Sequence, residues 1–171
     1  MNKKSKILAL LFSIASLQAA PVLAALKTTL NFTSTYSGYG SYDRAKNWAE
    51  TKAQALSPQI DAIVGSAYPG FRGTADVAIT NKVHNVSYAT SDGVHHRYQG
   101  IVSLYMKNTA YAFDETVEKF PGMSCEEAEV EGRMHYPHAF YSRLETYTEG
   151  SVFHRVNGCA LTAYSVVAVT N

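Results

Sequence analysis

The stretch SDGVHHRYQG, positions 91–100, sets His95, His96 and Arg97 side by side, and His154 recurs near the C-terminus in SVFHRVNG. Two imidazoles that titrate near neutral pH and one forked guanidinium, gathered around a phosphodiester, supply a general base, a general acid and charge stabilisation. His95, Arg97 and His154 are therefore the candidate catalytic set of a small secreted hydrolase of the phosphodiesterase or nuclease type. The histidines make poorer metal ligands. Adjacent residues of a regular strand point to opposite faces, so His95 and His96 cannot chelate one ion. His135 and His138, in HYPH, have the spacing of one helical turn, but Pro137 breaks that turn and no carboxylate stands at ligand spacing. The chain has no G-x-S-x-G elbow, no G-x-x-x-x-G-K-[ST] loop and no G-x-G-x-x-G turn. No metal and no cofactor are expected, and hydrolysis is the second reading of the chain.

The first reading comes from rings and cations. Tyr88 and Tyr105, with Lys82, Arg97 and Lys107, fall on one side of two alternating stretches, and Tyr164 near the C-terminus extends the set. A sheet face that carries amphipathic rings beside fixed cations suits a protein surface, a sugar or a polyanion. Similar faces stack single-stranded nucleic acid, but the export signal described below argues against an intracellular RNA role.

These residues need a scaffold. LKTTLNFTSTY, 26–36, alternates Leu26, Leu30, Phe32 and Tyr36 against Lys27, Thr29, Asn31, Thr33 and Thr35, the pattern of a half-buried strand. After the turn SGYGS, Ser41 is expected to cap a helix whose face carries Ala45, Trp48, Ala49, Ala53 and Leu56. Ser57 and Pro58 then open a second short helical segment. Two alternating stretches, 74–90 and 94–107, flank SDG, a hairpin signal that places Asp92 and Gly93 in the turn and Ser91 opposite Val94. That register puts Val77, Ile79 and Val83 on one face with His96, Tyr98, Val102, Leu104 and Met106, leaving the rings and cations on the other. Ser124 and Glu127 form a capping box for a second helix, which Pro137 interrupts and AFYSRLETY, 139–147, resumes. The segment from Ser151 is a last long strand. The order strand, helix, strand, strand, helix, strand predicts an α+β two-layer sandwich of the ferredoxin-like split βαβ type, with one antiparallel four-stranded sheet. No internal repeat is apparent in the sequence.

Residues 1–24 read as a secretory signal peptide: Lys3, Lys4 and Lys6, an apolar run, and Val22 and Ala24 as the small residues before cleavage. The apolar run is too short for a spanning helix, which needs about 20 residues. Residues 25–171 then form one α+β domain in the periplasm or outside the cell. Three of the 15 Lys and Arg lie in the leader, so 12 face 14 Asp and Glu, a net charge of −2, and any electrostatic recognition must be a local patch. Cys125 and Cys159 are the two cysteines, and an oxidising compartment makes them one disulfide joining the second helix to the last strand. The reading that fits best is a non-enzymatic binding or inhibitory module of the bacterial envelope, engaging a protein or polyanionic ligand through an open sheet face.

Overall fold

The computed structural model describes residues 26–64 and 68–169; the leader expected at residues 1–24 lies outside them. Strand β1 (Thr29–Ser37) leads through a glycine turn into helix α1 (Ser41–Asp61). A single 3-10 turn (Gly73–Ala75) precedes β2 (Val77–Asn85), β3 (Tyr88–Thr90), β4 (Gly93–His95) and β5 (Arg97–Met106). Strand β6 (Tyr111–Pro121), helix α2 (Cys125–His135), β7 (Tyr141–Ser151) and β8 (His154–Ala168) complete the chain.

The strands form three sheets, ordered β1-β5-β2, β3-β4 and β6-β8-β7, all antiparallel. The single four-stranded ferredoxin-like sheet is therefore incorrect, although the α+β class holds. The error is one of strand count. The sequence pattern assigns no element to residues 111–121, whose Asp114, Glu115, Glu118 and Lys119 are types depleted from strands; residues 139–147 were expected to resume the helix. Both segments are instead edge strands, zipped onto β8 from Tyr111↔Ala168 to Pro121↔Gly158 and from Tyr141↔Tyr164 to Ser151↔His154. With β6 and β7 added, the chain has strands for two separate three-stranded sheets besides the β3-β4 ribbon.

The result is a topological repeat that the sequence does not display. The units β1-α1-β2-β5 and β6-α2-β7-β8 share the order strand, helix, strand, strand, with the last strand inserted between the other two. They meet where Lys27 and Phe113 exchange backbone hydrogen bonds of 2.9 and 2.7 Å. One core serves both: Leu30, Phe32, Leu56, Ile60, Val102 and Leu104 of the first unit join Phe113, Phe140, Tyr164 and Val166 of the second. A second cluster of Phe120, Ala128, Cys159, Leu161 and Ala163 holds α2 to its sheet.

Helix α1 lies on the face of β5 that carries Gly100, Val102 and Leu104. A Cβ on Gly100 would stand 2.4 Å from the Ala45 carbonyl oxygen and 2.9 Å from the Trp48 ring, so glycine sets the approach. The helix starts after Gly40, which takes the cap position with a φ of 67° that glycine tolerates; Ser41, expected there, is the buried first helical residue and caps nothing. The helix also runs through Pro58 without the expected break, because Leu56 and Ile60 on either side of it are fully buried. Helix α2 starts as expected: Glu127 N–H donates to Ser124 Oγ at 3.2 Å, and Ser124 N–H donates to Glu127 Oε2 at 2.8 Å. Its first residue, Cys125, is bonded to Cys159 of β8. Among the described residues no helix is long and apolar enough to cross a membrane.

Candidate binding face

The β2–β5 hairpin turns at Ser91 and Asp92, with Thr90 opposite Gly93 rather than Ser91 opposite Val94. Each partner is thereby displaced by two residues, and since strand side chains alternate, the face assignments within β2 and β5 are preserved; His96, expected on the apolar side, is instead exposed between β4 and β5. Val77, Val102 and Leu104 turn inward and are buried. On the opposite side, Thr29, Asn31, Thr33, Thr35 and Ser37 of β1 stand beside Tyr105, Ser103, Ile101, Gln99 and Arg97 of β5, and these beside Ala78, Thr80, Lys82 and His84 of β2. Helix α1 packs on the inner side of this sheet, and the outer side is bare and exposes Thr33, Thr35, Thr80, Lys82, His84, Arg97 and Tyr105. At its centre Ser103 is covered by its neighbours and donates to Asn31 Oδ1 at 2.6 Å.

Beyond Ser37 the hairpin has no third strand, and β3 and β4 project as a fully exposed ribbon. It is stiffened from within. The Tyr88 and His95 rings stack with centroids 5.0 Å apart, His95 Nε2 lies 3.0 Å from Thr90 Oγ1, and Arg97 N–H donates to Ser87 Oγ at 2.9 Å. At the base of the ribbon a cavity of about 340 Å³ is lined by Tyr39, Tyr88, Val94, His95, His96 and Arg97. Arg44 fixes its far wall by donating to the carbonyls of Ser37 and Tyr39.

The electrostatics of this unit are one-sided. Strands β1 to β5 contain Lys82, His84, His95 and Arg97 and not one Asp or Glu. The carboxylates flanking them are Asp92 in the turn and Asp76 below β2. Asp76 is buried, and the Arg72 guanidinium holds its carboxyl below the usual range through bonds of 2.8 and 3.2 Å. Lys82 and Arg97 enter no ion pair among the described residues. The acids of the strands are concentrated in the other sheet, at Asp114, Glu115, Glu118, Glu145 and Glu149.

The remaining expected site residues are distributed as follows. Lys82, Tyr105, Arg97 and Tyr88 share the open side or its ribbon; Lys107 lies just past β5 and reaches the Thr74 carbonyl at 3.4 Å. Tyr164 is elsewhere. It is only 6 % exposed, with Phe32 and Tyr141 rings 5.2 and 5.7 Å away, and that burial pushes its phenol above its ordinary value. The catalytic set is not assembled either. It requires the last strand beside β1, whereas β8 pairs with β6 and β7, and His154 opens it opposite Ser151. No group of three or more His, Cys, Asp and Glu able to hold a metal occurs among the described residues.

One cluster was not anticipated. His135, at the end of α2, places Nδ1 2.9 Å from Glu118 Oε2 of β6 and Nε2 3.4 Å from Glu131 Oε1. Glu118, by hydrogen bond and charge, raises the imidazole's pKa, and burial together with Glu118 pushes the neighbouring Tyr136 phenol up to about 12. HYPH marked the histidine, but its partner lies in the strand that charge had disguised. The imidazole, held between Glu118 and Glu131 so that its charged form is favoured, ties α2 to β6. No protein-family model, no curated protein and no solved structure matches this chain.

Proposed function

We propose that this chain is an exported, non-enzymatic binding module whose bare β1-β5-β2 face takes a polyanionic ligand. One observation carries the reading: five successive strands present Lys82, His84, His95 and Arg97 to solvent with no carboxylate among them. The rest of the chain is rich in acids. Segregation of sign on a chain of small net charge is the arrangement that attracts one class of ligand without a basic coat. The hydroxyls of Thr33, Thr35, Thr80 and Ser37 supply neutral donors between the cations, and the Tyr88–His95 stack and Tyr105 supply flat apolar surface. Arg97 is the anchor, since its fork matches sulfate, phosphate or carboxylate oxygens two at a time.

The test is a titration of the folded chain with a sulfated polysaccharide and with inorganic polyphosphate over a series of salt concentrations. Binding weakens as salt rises, and Lys82→Glu and Arg97→Glu each lower the affinity about tenfold or more, the scale of one lost charge-assisted hydrogen bond. Glu145→Gln, in the other sheet, leaves it unchanged. Affinity for both polymers that survives the double reversal of Lys82 and Arg97 would remove this face from consideration.

A further inference from the structure

The second unit carries a hairpin of different character. Strand β6 follows β8 only as far as Pro121↔Gly158, while β7 continues to Ser151↔His154, so the last residues of β7 and the first of β8 form a two-stranded spur. Its two turn residues are Val152 and Phe153, 78 % and 90 % exposed, and Val156 beside them is 47 % exposed. Turn positions ordinarily take Gly, Asn, Asp or Ser, and nothing in the fold rewards Val-Phe there. The topologically equivalent turn of the first unit is Ser91-Asp92, so the architecture itself does not demand apolar residues. Gly150 makes the unusual turn possible: its φ is 113°, and a Cβ would stand 1.9 Å from the His154 carbonyl oxygen.

The charges around the spur are equally selective. His154 and Arg155 follow the apolar pair directly, and the nearest carboxylate of the hairpin, Glu149, is paired with Lys119. Arg155 has no ion-pair partner among the described residues. An apolar point flanked by the Arg155 guanidinium and an imidazole is complementary to a surface that is oily inside and negative outside. A protein groove is the poorer fit, because a stable interface buries about 800 Å² on each side, far more than two turn side chains supply. A bilayer needs no matching shape.

We propose that the Val152-Phe153 turn is a membrane-interface wedge that seats in anionic lipid, with Arg155 and His154 at the level of the headgroups. This contact is separate from the open face of the first unit and stands without it. The expected attachment is reversible, since one aromatic and one aliphatic side chain give marginal partitioning and Arg155 supplies the second signal.

The experiment uses the full oxidised chain and sedimentation with vesicles of phosphatidylcholine mixed with phosphatidylglycerol, against phosphatidylcholine alone. Binding to the mixed vesicles exceeds binding to the neutral ones. The double variant Val152→Ser, Phe153→Ser lowers it about tenfold or more, and Arg155→Gln lowers it roughly fivefold. All these positions are exposed, and circular dichroism checks that the fold is kept. Phe153→Trp gives a direct reading: its added emission shifts to the blue and is quenched by acyl-brominated lipid, whereas the parent emission from Trp48 is not. Absence of binding to the mixed vesicles, binding undiminished by the double serine variant, or an unquenched Phe153→Trp would each overturn the wedge. So would loss of vesicle binding with Lys82→Glu and Arg97→Glu alone, which would assign the lipid contact to the open face.

Discussion

Reducing the Cys125–Cys159 bond tests how the second unit is held together. The bond spans 34 positions and encloses α2, β7 and the start of β8. Its removal gives the denatured chain back the freedom of that loop. The chain-entropy relation, with a loop of this length, gives about 12.6 cal/mol/K, or about 3.8 kcal/mol at 25 °C. Cys159 is fully buried beside Leu161 and Ala163, so replacing it also costs packing. The two costs separate if the oxidised chain, the reduced chain and Cys125→Ala, Cys159→Ala are unfolded in urea side by side. With a urea slope of about 2 kcal/mol/M, reduction shifts the midpoint by about 2 M, and the alanine pair lies slightly lower still. A shift from reduction below about 0.5 M would refute the reasoning, because it would mean that the unfolded chain already holds the α2 start near β8 without the bond.

Two further outcomes follow from close contacts. Gly100→Ala meets the Ala45 carbonyl at 2.4 Å, a backbone atom that cannot swing aside. It destabilises the chain by about 1–3 kcal/mol, read from the urea midpoint; Gly132→Ala, which meets only the end of the Leu161 side chain at 2.3 Å, costs less. The His135–Glu118 tie is pH dependent with a definite sign: the folded imidazole pKa is raised, so its contribution is complete below about pH 6.5 and is lost as pH rises through the folded value. Glu118→Gln therefore destabilises most at low pH while Glu118 is still ionised, and its effect fades in alkaline solution. A histidine NMR titration in which Glu118→Gln leaves the His135 midpoint in place would refute that assignment.

Local chemistry was legible where a residue acts on its immediate neighbours. Ser124 and Glu127 announce the start of α2 because a capping box needs only three residues of separation. Alternation in 26–36 and around SDG gave β1, the hairpin and the bare face, and a turn misplaced by one residue did no harm because faces repeat every second position. The expectation of an oxidising compartment paired Cys125 with Cys159, and the bond is present. What failed was information held in partners. Segment 111–121 is a strand because β8 offers it a ladder and Lys27, Lys119 and His135 neutralise Glu115, Glu149 and Glu118 nearby, none of which the segment's own composition reveals. Tyr164 looked like its exposed counterparts on the first sheet, and only the arrival of Phe32 and Tyr141 makes it core. The duplicated topology was hidden because a shared strand order constrains polarity patterns far less than residue identities.

In each unit the strand inserted in the middle is the one the ribosome makes last. Until β8 exists, β6 and β7 have no mutual hydrogen bonds to form, since neither is the other's neighbour. A chain threaded out N-terminus first can thus complete its leading sheet while the trailing one is still two separated ribbons, and the final fifteen-residue strand closes both ladders, and brings Cys159 to Cys125, in one insertion. The C-terminal segment is accordingly the keystone of half the molecule rather than a dispensable tail.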